Sequence, residues 1–174
     1  MHILVGLLAV IGGIVFWVYR ARMAATAASD LADMAGTVMG AARRFGFRRR
    51  HDMHPVDCID DTTLAAGALT VAFLDLGQTQ TEEMRRTHIL ALQKHFVIGK
   101  DEAEELLVMG HWLVNECSGP APAVTRLGKR LMKLTGSHAL DAPLQVINDV
   151  AGASGGLTDS QRDALHDLQR IFRR

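Results

Sequence analysis

From residue 60 onward, apolar positions recur at three- and four-residue steps, and glycine, proline or capping residues interrupt them regularly. This is the pattern of amphipathic helices with start and stop signals. Asp61 or Thr62 caps a helix running to about Leu76, with Leu64, Ala68, Val71 and Ala72 apolar and Gly77 closing it. Thr81 with Glu82 and Glu83 opens a second, to Phe96, carrying Met84, His88 and Leu92 at helical steps. Gly99 stops it, and Asp101-Glu102 begins a third that ends near Cys117. Ser118-Gly119-Pro120-Ala121-Pro122 is the clearest break in the body, and helices over about 123–134, 140–153 and 159–172 follow. Pro143 falls in a first turn, where its missing N–H is no loss. No stretch shows the alternation of a half-buried strand. The pattern predicts an all-α body of about six helices.

Before this body the pattern changes. Ile3 to Tyr19 is an unbroken apolar run, and as a helix it rises about 26 Å, at the lower end of what crosses a ~30 Å hydrocarbon core. Trp17 and Tyr19 stand where an interfacial aromatic belt belongs, and Arg20 and Arg22 follow. A cleaved signal peptide is the competing reading, because Ala25-Thr26-Ala27 resembles a cleavage site. Met1-His2 offers no basic n-region, however, and two arginines intervene. The expectation is a single-pass anchor in a bacterial inner membrane. Positive charge after the run and none before it places the N-terminus outside and the C-terminal body in the cytoplasm.

The helix is expected to continue past the anchor. Ala27, Leu31, Met34, Val38, Ala41 and Phe45 form one narrow apolar stripe. It suits a partner helix, or the chain's own body. The expected organisation is an anchor at 1–22, a basic amphipathic neck and linker at 23–59, and the helical body at 60–174.

Composition supports helix: 48% of residues are hydrophobic but only 5% are aromatic, and alanine and leucine dominate. Net charge is zero, yet residues 20–50 hold seven arginines and two aspartates, whereas 51–174 hold twelve basic and seventeen acidic residues. A basic neck thus precedes an acidic body. Arg43, Arg44, Arg48, Arg49 and Arg50, with Phe45 and Phe47 between them, are expected at the membrane face beside anionic lipid headgroups. One short run beside an anchor is poor support for a nucleic-acid partner. Cys58 and Cys117 show no CxxC or zinc spacing, and a body facing the cytoplasm keeps such thiols reduced.

An apolar helix, a glycine turn, a Thr cap and a second helix occur at 62–96 and again at 140–172. The second turn reads Ala153-Ser154-Gly155-Gly156-Leu157-Thr158-Asp159-Ser160-Gln161, and the first Asp75-Leu76-Gly77-Gln78-Thr79-Gln80-Thr81-Glu82-Glu83. Together they resemble the TerB-like family, the tellurite-resistance-associated helical domain also found in membrane-anchored DjlA-type co-chaperones. That family's hallmark is an Ala-Asp-Gly-x-hydrophobic-x-x-x-Glu loop in both halves of the bundle. Aligned on its glycines, this chain has Ser154 at the Asp position and Gln161 at the Glu position. The first copy keeps Glu83, with Asp75 one residue early. The His-Pro-Asp of a J-domain is absent, since His54-Pro55 is followed by Val56.

The resemblance implies a divalent-cation site in such loops, for which the surviving candidates are Asp75, Glu83 and Asp159. A hard cation needs several convergent oxygens, and two acids are missing. His51, His54 and Cys58 could suit a soft metal, but Pro55 disfavours a helical presentation. His88, His95 and His111 fall on adjacent helices, where packing roles are the common outcome, and Trp112 reads as a core or interface anchor. No nucleophile elbow, P-loop, dinucleotide fingerprint or HExxH occurs. The expectation is a non-enzymatic, cofactor-free TerB-like module docking on a membrane protein complex as an accessory subunit or assembly factor. The alternative is a tellurite-resistance-like stress protein with residual cation binding.

Overall fold

The computed structural model describes residues 36–77 and 80–173. Among these residues it holds seven α-helices and no strand. They are α1 (36–44), α2 (Thr62–Leu74), α3 (Glu82–Phe96), α4 (Lys100–Glu116), α5 (Pro120–Thr135), α6 (Asp141–Ala153) and α7 (Asp159–Phe172). Single 3-10 turns at Pro55–Cys58 and Ser137–Leu140 complete the list. The all-α class is as the pattern predicts. α5 starts earlier than expected, because Pro120 takes its first position, where proline's fixed φ suits a helix start and no N–H is missed.

α2 is the axis of the body. From Leu64 to Leu74 all of its residues are buried, and α4, α5 and α6 pack around it. A helix that is apolar all round has no face to offer water, so burial is its stable state. Its small residues set how closely neighbours approach. A β-carbon on Gly67 would lie 1.8 Å from Leu106 Cδ2, and one on Gly110 would lie 2.6 Å from Val71 Cγ2. Each helix therefore inserts a side chain into a hole on the other that only glycine can leave open. Residues 67 and 71 meet 106 and 110 in the same order, so α2 and α4 run in the same direction at this contact. α3 lies on α6, where Lys94 Nζ and His95 Nε2 both reach Asp149 Oδ2, at 3.0 and 2.9 Å. The hydrogen bonds from His95 and then Lys94 hold the Asp149 carboxyl below its usual range.

The compact unit begins at Val38, so it takes in the segment before residue 60 as well as the six helices after it. The reason is burial. Ala41 and Phe45 enter the core of this unit, along with Val56 and Ile59. Phe47 meets Trp112 edge-on with ring centroids 5.6 Å apart, and the Arg49 guanidinium lies 5.9 Å over the same ring. Arg44 donates to Glu105 and Arg49 to Glu116, each at 3.2 Å. Glu105, Trp112 and Glu116 occupy one face of α4, seven and four residues apart, and the 44–49 segment is strapped along it. The lower half of the apolar stripe, Val38, Ala41 and Phe45, thus covers the chain's own body. Ala27, Leu31 and Met34 lie outside the described residues, as do the expected anchor, Trp17, Tyr19, Arg20 and Arg22. No helix among the described residues is long and apolar enough to cross a membrane.

The two helix pairs of the expected repeat are α2–α3 and α6–α7. Thr81 Oγ1 accepts from Met84 N at the start of α3, and Thr158 Oγ1 accepts from Gln161 N at the start of α7. Matched on these caps, Met84 corresponds to Gln161 and Glu83 to Ser160. Matched on the C-caps of α2 and α6, Asp75 corresponds to Ser154. The first loop is two residues longer than the second, so an alignment anchored on glycine slips in register.

Candidate functional site

The two loops meet at Gln161. Its side chain is buried, and its two amide ends do different work. Oε1 accepts from Thr158 N at 3.0 Å, closing a capping box at the start of α7. Nε2 donates toward Phe73 O at 3.4 Å and Leu74 O at 3.5 Å, last-turn carbonyls of α2 that also accept from Leu76 N and Gly77 N. Gly77 admits this reach, since a β-carbon there would lie 2.7 Å from Nε2. A glutamate could close the capping box but would set carboxylate oxygen against the two carbonyls. Gln161→Glu is therefore expected to destabilise the body by about 1–3 kcal/mol at neutral pH. Part of the loss should return on mild acidification, when a protonated carboxyl can donate. Thermal melts of variant and wild type at matched pH values read the difference.

The expected cation ligands do not converge. The Asp75 carboxylate accepts from Gln80 Nε2 at 2.9 Å and lies 3.7 Å from His111 Nε2. Glu83 is exposed in the first turn of α3. The Asp159 side chain is 94% exposed and pairs with Arg162 of its own helix. Ser154 Oγ bonds back to Val150 O at 3.0 Å. Among the described residues no three His, Cys, Asp or Glu side chains form a group able to hold a metal ion.

The histidines serve the scaffold. His54 Nδ1 accepts from Val56 N, so the proton sits on Nε2, which donates to Glu116 O at 3.2 Å. Both ring nitrogens are thereby used, and Cys58 behind it is buried. Cys117 is buried too, and burial first of all pushes its thiol above the usual value. His111 Nδ1 donates to Leu107 O at 2.8 Å, and the Asp75 carboxylate raises its pKa.

His88 is the outlier. It is fully buried, and its Nε2 lies 2.8 Å from Thr70 Oγ1. The Thr70 hydroxyl spends its one proton on Gly67 O at 2.7 Å, so His88 Nε2–H is the donor to Thr70. Nδ1 is then a lone pair in the interior with no hydrogen-bond partner among the described residues. Desolvation lowers the imidazole pKa from 6.5 to about 3, helped by nearby His111 and opposed by Asp75.

Among the arginines assigned to a membrane face, Arg44 and Arg49 are engaged with α4 as described. Arg50 reaches Met53 Sδ, at 3.9 Å. The larger concavities lie along α5. One cleft of about 690 Å³ separates it from the 53–57 segment, and another of about 540 Å³ separates it from α7. Arg126, Arg130 and Lys133 line the first, Arg170 lines the second, and Lys129 lines both.

Neither a family model nor a curated protein nor a solved structure matches this chain.

Sequence reasoning missed three features of this region: the reach of Gln161 to α2, the Thr70–His88 pair and the cationic face of α5. Only the last left a readable signal, since 126, 129, 130 and 133 follow helical spacing.

Proposed function

We propose that the chain is a membrane-anchored, TerB-like interaction module, an accessory subunit or assembly factor for an inner-membrane protein complex. The observation that carries the reading is the use of Gln161. The loop that would bear acids in a cation-binding relative instead joins the start of α7 to the end of α2. Conspicuous polar groups of the region, including the Asp75–Gln80 contact and the Ser154 back-bond, are likewise spent on holding helix ends. What the body offers a partner is surface, including the two clefts along α5. The apolar run at 3–19 supplies location.

Affinity purification from native membranes in a mild detergent, with mass spectrometry, tests this. The same membrane protein should return in amounts comparable to the bait. Repeated recovery of the bare chain alone would falsify the module reading. Calcium titration that gives heat with wild type and none with Asp75→Asn would favour the stress-protein alternative.

A further inference from the structure

We propose that the exposed face of α5 is a docking site for an acidic protein segment with interspersed apolar side chains. The proposal rests on the interaction-module reading and gives it a place and a partner chemistry. α5 is sharply two-sided. Val124, Leu127 and Leu131 are buried, while Arg126, Lys129, Arg130 and Lys133 follow one another at helical spacing on the outer side.

These four cations are not equivalent. Arg126 is held by Asp57 at 3.0 Å, and Arg130 by Ile59 O at 2.6 Å and Asp60 at 2.9 Å. Lys129 and Lys133 have no carboxylate within ion-pair distance among the described residues. The arginines are fixed and largely compensated, and the lysines carry the unmet charge. Lys129 stands on the ridge between the clefts, and Arg170 on the far side is paired with Asp167 at 3.0 Å.

The clefts also have apolar walls, from Met53 and Pro122 in one and Met132 and Ile171 in the other. Methionines suit such a surface, because the flexible thioether adapts to varied side chains. A segment whose carboxylates meet the lysines and whose leucine-like side chains enter the clefts satisfies both features. It would gain orientation and encounter rate from the charges and burial from the clefts. A bilayer surface fits less well. It is flat on this scale and cannot follow two concavities. Nucleic acid fits less well too, since no aromatic ring lines either cleft to stack a base.

The test uses the full chain in neutral detergent micelles and a fluorescein-labelled peptide alternating Glu and Leu, followed by anisotropy. Binding should weaken at least about tenfold in Lys129→Glu/Lys133→Glu, as expected for reversing two charges at a site of electrostatic complementarity. The charge-matched control Arg86→Glu/Lys100→Glu, on α3 and α4, should bind as wild type does. Unchanged melting temperatures show that both variants are folded. No peptide binding, or equal losses in both variants, overturns the proposal. So does displacement of the peptide by phosphatidylglycerol or single-stranded RNA at lower concentration than by unlabelled peptide. In the purification above, a partner retained by Lys129→Glu/Lys133→Glu would sink this site and leave the module reading standing. No partner with wild type would remove the module reading itself.

Discussion

Gly67→Ala is expected to destabilise the body by about 2–3 kcal/mol, although alanine favours a helix interior by ~1 kcal/mol over glycine. The new β-carbon would fall 1.8 Å from Leu106 Cδ2 and within 2.7 Å of Cγ. Leu106 is itself fully buried, so it has no free volume to retreat into. Relief requires α2 and α4 to separate, which would also draw Val71 out of the hole at Gly110. Urea unfolding followed by circular dichroism measures the loss. A second variant isolates the contact. Leu106→Ala alone should cost about 2–5 kcal/mol through the cavity it leaves. In Gly67→Ala/Leu106→Ala the added methyl occupies part of that cavity, so the double variant should be at least ~1 kcal/mol more stable than the sum of the singles. Losses that add within ~0.5 kcal/mol would show that the two side chains do not meet.

Acid should weaken the fold through His88, starting well above the range in which carboxylates titrate. In the unfolded chain this imidazole takes up a proton near pH 6.5, whereas the folded one does so only near pH 3. Between those values the unfolded state holds the extra proton, so stability falls as pH falls. The slope approaches ~1.4 kcal/mol per pH unit, or about 2 kcal/mol between pH 7 and pH 5. His111 acts in the opposite sense. Its raised pKa adds stability that is present below about 6.5 and lost as pH climbs through the folded value. Asp149, with its lowered pKa, acts only near and below the ordinary carboxylate range. The interval from pH 5 to 6.5 therefore belongs chiefly to His88. Urea midpoints across it should slope in wild type and be nearly flat in His88→Gln, which keeps a donor for Thr70 but cannot be charged. Equal slopes in both proteins would remove His88 as the cause.

Much of the fold is legible in the sequence because its signals are local. Asp61, Thr81 and Thr158 cap helices by bonds that span three residues, so the caps can be seen without tertiary structure. The helix over 62–74 is legible in the same way, but its burial on all sides from Leu64 to Leu74 shows only once α4, α5 and α6 pack around it. What escapes depends on distant partners. Phe47 and Arg44 read simply as part of a basic neck, because nothing in 43–50 reveals that Trp112 and Glu105 wait on α4. His88 reads as an ordinary packing histidine, since its unpaired nitrogen follows from where the Thr70 proton goes. The loops misalign for a similar reason. Glycines mark a turn without stating its length, and only the caps show that the first is two residues longer.

The strap along α4 has a mechanical consequence. Tension arriving at residue 38 meets no slack. Within two helical turns it reaches Ala41 and Phe45, which are embedded in the core, and then Phe47 and Arg49, clasped to Trp112. A pull on the chain from that side is borne by the folded body itself, as a rope spliced into a load differs from one looped around it.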